Sequence, residues 1–154
     1  MVEELPVDGA LCDCHDRSGA AWNACAQMGR IITSVSSGVI SSIPNLGISN
    51  ALRLSLVSWS KTLACEVGAD GITANIVLPG RIATERIRFL DEMKAKREKK
   101  SVEYVVAESV SSIPVRRYGW PDEYADVVAF LASQQAAYLT GSVIRVNGGM
   151  ITSI

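Results

Sequence analysis

A chain of 154 residues supplies apolar material for one hydrophobic core and rarely for two, so a single compact unit is expected. Fifteen lysines and arginines nearly balance sixteen aspartates and glutamates, which removes the long-range field that gathers nucleic acid or an anionic membrane and points to a small neutral or mixed-charge partner. The acidic start Met1-Val2-Glu3-Glu4-Leu5-Pro6 has no signal-peptide core and no apolar run approaches a membrane-spanning length, so a cytoplasmic location is the default expectation.

Residues 1–28 have no clear period and mix Gly9, Asp13, Asp16, Ser18 and Gly19 with small side chains, the profile of turns or a poorly defined helix. Cys12, Cys14, His15 and Cys25 are soft ligands of the kind zinc takes, but their spacing is not that of a common zinc knuckle and no second close pair follows. Free thiols in an irregular polar segment are favoured, with no metal site. At Gly29 the character changes. Arg30-Ile31-Ile32-Thr33-Ser34-Val35 is short and β-branched and runs into Ser36-Ser37-Gly38, which predicts a buried strand ending in a polar turn.

After a loop with Pro44 and Asn45, residues 47–67 place Leu52, Leu56, Trp59, Leu63 and Val67 at spacings of four and three, an apolar stripe on a long helix. Gly68 and Gly71 end it, and Thr73-Ala74-Asn75-Ile76-Val77-Leu78 reads as a second buried strand stopped by Pro79-Gly80. Strand, helix, strand predicts a parallel crossover. Thr84 is a candidate N-cap for a charged helix over residues 85 to about 100, arranged around Ile87, Leu90 and Met93 as a surface lid. Its basic run, Lys94, Lys96, Arg97, Lys99 and Lys100, is broken by Glu98 and preceded by Asp91 and Glu92, so it reads as a solvated face and not an anion site. A loop through Pro114, Arg116, Arg117 and Gly119 leads to Trp120-Pro121-Asp122-Glu123, a helix start whose buried face is expected to be Tyr124, Val127, Val128, Phe130 and Leu131. Past Thr140-Gly141, residues 142–146 form a third strand ended by Asn147-Gly148-Gly149, completing an α/β unit with about three parallel strands and no internal repeat.

From Gly29 to Gly149 the chain resembles the short-chain dehydrogenase/reductase family. The strand ending in Ser36-Ser37 is similar to the one that delivers the family's active-site serine. Asn75-x-x-x-Pro79-Gly80-x-x-x-Thr84 is similar to the segment beside nicotinamide. Arg117-x-Gly119-x-Pro121-x-Glu123 with Phe130-Leu131-Ala132-Ser133 resembles the last helix, and Tyr138-Leu139-Thr140-Gly141 through Val146-Asn147-Gly148-Gly149 resembles the closing strand, with Asn147 where aspartate is usual. The resemblance implies that residues 29–154 are the C-terminal part of a doubly wound, Rossmann-like sheet and residues 80–118 a substrate lid. It implies an NAD or NADP cofactor faced by Pro79, Gly80, Ile82 and Thr84, and a small carbonyl or secondary alcohol as substrate. It also implies a homo-oligomer formed through the long helix and the last strand. No Gly-x-x-x-Gly-x-Gly or Gly-x-Gly-x-x-Gly turn precedes Gly29, so the usual grip on the pyrophosphate is missing and cofactor binding is expected to be weak.

The family's proton relay uses a tyrosine and a lysine four residues later. Aligned on Lys61-Thr62-Leu63-Ala64, those positions hold Ser49 and Arg53, and Ser37, or else Ser36, takes the serine position. An aliphatic hydroxyl is a far weaker acid than a phenol of pKa about 10, and a guanidinium stays protonated, so this chain is expected to be impaired as a catalyst. Tyr104 or Tyr118 of the lid are alternative phenols. Three readings are open: an oxidoreductase of this lineage, a non-catalytic oligomerisation or interaction module, and a truncated gene fragment without a role, the last prompted by the break in pattern at Gly29.

Overall fold

The structure is a computed structural model that describes residues 2–4, 28–41, 43 and 46–152, the first three by their backbone. Cys12, Cys14, His15 and Cys25 lie outside the described residues. A single four-stranded sheet has the order β1 (Val2–Glu4), β2 (Gly29–Ser34), β3 (Ile72–Pro79), β4 (Val143–Val146). The last three strands are parallel, as a strand-helix-strand pattern requires, with Gly29 opposite Ile72 and Ile76 opposite Val143. β1 departs from the aperiodic reading of residues 1–28: it pairs antiparallel with β2, Val2 opposite Thr33 and Glu4 opposite Ile31.

Period-two alternation in the strands sorts the core into two layers. Ile31, Ala74, Ile76 and Leu78 face the long helix α1 (Gly47–Val67), where Leu56, Val57, Ala64 and Val67 meet them. Ile32 and Val77 face the opposite way, onto α4 (Pro121–Ala132), meeting Leu131 with Tyr124, Val127 and Val128 around it. The stripe expected on α1 is rotated. Leu52 and Trp59 are exposed and the buried residues are Ser60, Ala64 and Val67, because a helix lying flat on a sheet approaches closest where its side chains are small. Phe130, expected on the inner face of α4, is likewise exposed.

Between β3 and α4 lie two lid helices, α2 (Glu85–Glu98) and α3 (Val102–Ser111). Thr84 caps α2 as expected, its hydroxyl oxygen accepting from the Ile87 amide at 3.4 Å. The inner face of α2 is built on Asp91 and Ala95, while Leu90 and Met93 point to solvent. The basic run is matched by acids, with Lys94 2.7 Å from Glu108 and Lys100 3.3 Å from Glu98, in keeping with a solvated face. No helix among the described residues is long and apolar enough to cross a membrane.

Candidate active site

In an open parallel sheet, reactive groups gather outside the carboxyl ends of the strands, where the ladder stops and loops are free to carry side chains. Both β2 and β3 end here, side by side, with Ser34 opposite Val77 and the ladder extended one step by the Val35 amide donating to the Val77 carbonyl at 3.1 Å. Ser36 then caps a single 3-10 turn, Ser37–Val39, its Oγ accepting from the Gly38 amide at 3.3 Å. Ser37 closes that turn with its carbonyl, which accepts from the Ile40 and Ser41 amides. The turn therefore uses the hydroxyl of Ser36.

The same turn abuts the start of α1. A Cβ placed on Gly38 would meet Asn50 Oδ1, so the Asn50 amide group lies directly against the turn. Beside Asn50, the half-buried Ser49 and Arg53 sit one helical turn apart, and Arg53 Nε donates to Ser49 Oγ at 3.3 Å. The fold thus sets the turn after β2 against the start of α1, the helix that carries Ser49 and Arg53.

The second group of candidates runs through residues 79–84. The Gly80 amide donates to the Val146 carbonyl at 2.9 Å, and Gly80 lies so close to the next strand's exit that an added Cβ comes 2.6 Å from Asn147 Cα. Ile82 bridges to Gly119 through the Ala83 amide on the Gly119 carbonyl (2.8 Å) and the Gly119 amide on the Arg81 carbonyl (2.9 Å). Its side chain lines a cavity of about 300 Å³ with Ile113, Val115 and Val146. Thr84 instead borders a second cavity of about 350 Å³ between the lid helices, with Ile87, Asp91, Val102, Val106 and Tyr118. Ser37, Ser49 and Arg53 line neither cavity. Pro79, Gly80, Ile82 and Thr84 thus share one segment, but Ile82 and Thr84 face different spaces.

The alternative phenols are both occupied elsewhere. Tyr104 is on the outer face of α3 under the Lys100 ammonium, 4.8 Å from the ring centre. Tyr118 donates its hydroxyl to Asp91 Oδ2 at 2.7 Å, and burial followed by that carboxylate pushes its pKa above the ordinary phenol value, the wrong direction for a ready acid. Arg117 and Glu123 form the bidentate pair that the spacing of their motif allows, 2.5 and 2.8 Å. Glu123 also accepts from the Trp120 amide at the helix start, and its pKa falls to about 2. Sequence reasoning missed Asp91, an acid in a charged helical stretch that nothing local distinguishes from its solvated neighbours.

With that geometry in place, the likeness to known proteins is specific. The sequence model of the family described as Enoyl-(Acyl carrier protein) reductase matches residues 15–151. The 3-oxoacyl-(acyl-carrier-protein) reductase FabG of Buchnera aphidicola is 42% identical over 126 residues, 80% of this chain and 46% of that protein. Among solved structures, YwfH, an NADPH-dependent reductase involved in bacilysin biosynthesis, superposes with a TM-score of 0.83 at 31% identity, covering 88% of this chain and 52% of that one. The L-sorbose reductase of Gluconobacter frateurii, solved with NADPH and L-sorbose, gives 0.80 at 28% identity over 88% and 52%. The chain spans about half the length of the curated relatives it matches. It belongs to the short-chain dehydrogenase/reductase family.

Proposed function

We propose that this chain is the substrate- and nicotinamide-facing part of an NAD(P)-linked oxidoreductase acting on a carbonyl or secondary alcohol, with its proton transfer impaired at Ser49 and Arg53. The observation that supports the reading is that the Ser36-Ser37 turn and residues 79–84 leave the carboxyl ends of the adjacent parallel strands β2 and β3, while the start of α1, where Ser49 is bonded to Arg53, packs on that turn. FabG of Buchnera aphidicola is by name a 3-oxoacyl-(acyl-carrier-protein) reductase and YwfH is an NADPH-dependent reductase, so a 3-oxoacyl compound and NADPH are the first pair to try.

The residues present fit one end of such a cofactor. Thr84 spends an oxygen lone pair on its helix cap and keeps a hydroxyl proton to donate to a carboxamide oxygen. Gly80 offers backbone without a side chain, and Arg53 has guanidinium N–H groups beyond the one on Ser49 for a ribose hydroxyl. The 154 residues contain no glycine-rich phosphate turn, so affinity is expected to be low. The chemistry such a cofactor would supply when held there is hydride for the carbonyl carbon. On this chain Ser37 orients the carbonyl oxygen and Arg53 meets its developing negative charge. With no phenol at position 49 and no lysine at position 53 to relay it, the proton comes from solvent.

Calorimetric titration with NADH and with NADPH at millimolar cofactor tests binding, and a flat trace with both removes the reading for this chain. The double substitution Ser49→Tyr with Arg53→Lys restores a phenol and a titratable ammonium, and reductase activity should rise by roughly 10²–10⁴. An unchanged rate in a variant that binds cofactor refutes the assignment of these two positions.

One observation favours a second reading, a non-catalytic module that associates with its own kind. Ile48, Leu52 and Trp59 lie along one face of α1 and are 80%, 65% and 45% exposed. Light scattering over a wide concentration range decides it: a clean monomer throughout refutes self-association.

A further inference from the structure

Asp91 is an anomaly in a helix of otherwise solvated charge. It is 2% exposed, and both of its carboxylate oxygens are taken by donors from other segments. Arg81 Nη1, from the loop after β3, donates to Oδ1 at 2.7 Å, and Tyr118, from the connection into α4, donates its hydroxyl to Oδ2 at 2.7 Å. The Arg81 guanidinium also lies over the Tyr118 ring, 5.9 Å from its centre, so the three groups close on one another. A buried ion pair repays its desolvation poorly as stability, and its best-attested use is to fix one arrangement among several. Here the arrangement concerns Thr84. That residue lies three positions after Arg81 and seven before Asp91, between two ends of the same ion pair, while the backbone bridge from Ala83 to Gly119 holds the segment beside Tyr118.

We propose that Arg81, Asp91 and Tyr118 are positioning residues that lock residues 79–84 to the lid helix α2 and so preset Thr84 for cofactor. The link to cofactor rests on reading residues 79–84 as the nicotinamide-facing segment. Arg81 and Tyr118 reach the same carboxylate from opposite sides of the Ile82 and Gly119 bridge, so losing either donor frees one side of the segment. Losing the carboxylate frees both. The cluster acts through Thr84 and the backbone, and none of its three side chains is assigned a contact with the reacting atoms.

Asp91→Asn keeps the size and removes the charge, and Tyr118→Phe removes one donor and little volume. Amide hydrogen exchange reads the lock without any ligand. The Ala83, Ile87 and Arg88 amides, which bond to Gly119, Thr84 Oγ1 and the Thr84 carbonyl, should exchange about tenfold faster or more in Asp91→Asn and by a smaller factor in Tyr118→Phe. The Val35 and Ile76 amides in the sheet should hold their wild-type rates. Acceleration spread equally over lid and sheet, or no acceleration in either variant, overturns the cluster. If Asp91→Asn does not fold, Tyr118→Phe carries the same decision. Where wild type binds NADPH, Asp91→Asn should weaken binding about tenfold, and Tyr118→Phe less, in the order of their exchange rates. Wild type that binds neither cofactor overturns the nicotinamide reading alone, and the exchange pattern still decides the lock.

Discussion

Replacing Gly80 by alanine probes whether the exit of β3 is held as tightly as its contacts indicate. The added methyl meets Asn147 Cα at 2.6 Å, Asn147 Cβ at 2.8 Å and the Asn147 carbonyl oxygen at 3.2 Å, so it strikes backbone, which cannot rotate away. Gly80 is not among the glycines with a left-handed φ, so the cost is contact and not conformation. Restoring ordinary van der Waals separation moves the two loops apart by on the order of 1 Å. That stretches the 2.9 Å hydrogen bond from the Gly80 amide to the Val146 carbonyl past useful length. Overpacking of this kind costs about 1–3 kcal/mol and the lost hydrogen bond about 0.5–1.5, together about 1.5–4.5 kcal/mol. Urea unfolding followed by tryptophan fluorescence should show a lower midpoint with an unchanged slope. Gly47→Ala is the control, since a Cβ there meets nothing within 4 Å in the first turn of α1, and it should be neutral or stabilising by up to about 1 kcal/mol. A loss below about 0.5 kcal/mol for Gly80→Ala, or an equal loss for Gly47→Ala, refutes the reasoning.

Leu131→Ala empties a fully buried position between Ile32, Val77 and Ala136 and should cost about 2–5 kcal/mol in the same assay, whereas Phe130→Ala one residue earlier should cost much less. Glu123 has a folded-state pKa depressed from 4.5 to about 2 by the Arg117 guanidinium and the Trp120 amide, so the stability it contributes is present above about pH 4.5 and disappears as pH falls toward 2. Melting temperatures of Glu123→Gln should therefore converge on wild type as pH drops from 5 to about 2.5, and parallel curves would sink the assignment.

Much of this fold is written locally. Thr84 and Ser101, each with an acid in the first helical turn, sit at true helix starts, and β-branched runs ended by glycine or serine mark β2 and β3. α3 is less plain in sequence: Ser101 caps it and Val102, Val105, Val106 and Ser109 follow at helical spacing, but the stretch is short and lies between a charged run and the proline-marked loop. The inward faces of α1 and α2 escape the hydrophobic pattern for a single reason. Periodicity locates large apolar side chains, but these helices approach their neighbours through Ser60, Ala64, Asp91 and Ala95. The candidate site is available from sequence only as a set of named positions. That Ile82 and Thr84 open onto separate spaces, and that a buried carboxylate stands behind Thr84, depends on contacts between segments far apart in sequence.

The sheet ends on its two shortest strands, β1 of three residues and β4 of four, and among the described residues no strand lies outside either. β2 and β3, six and eight residues long and apolar, are paired on both sides. A foreign strand arriving at either edge therefore finds only three or four residues of backbone to pair with, and the long apolar strands that would template a ladder best are enclosed.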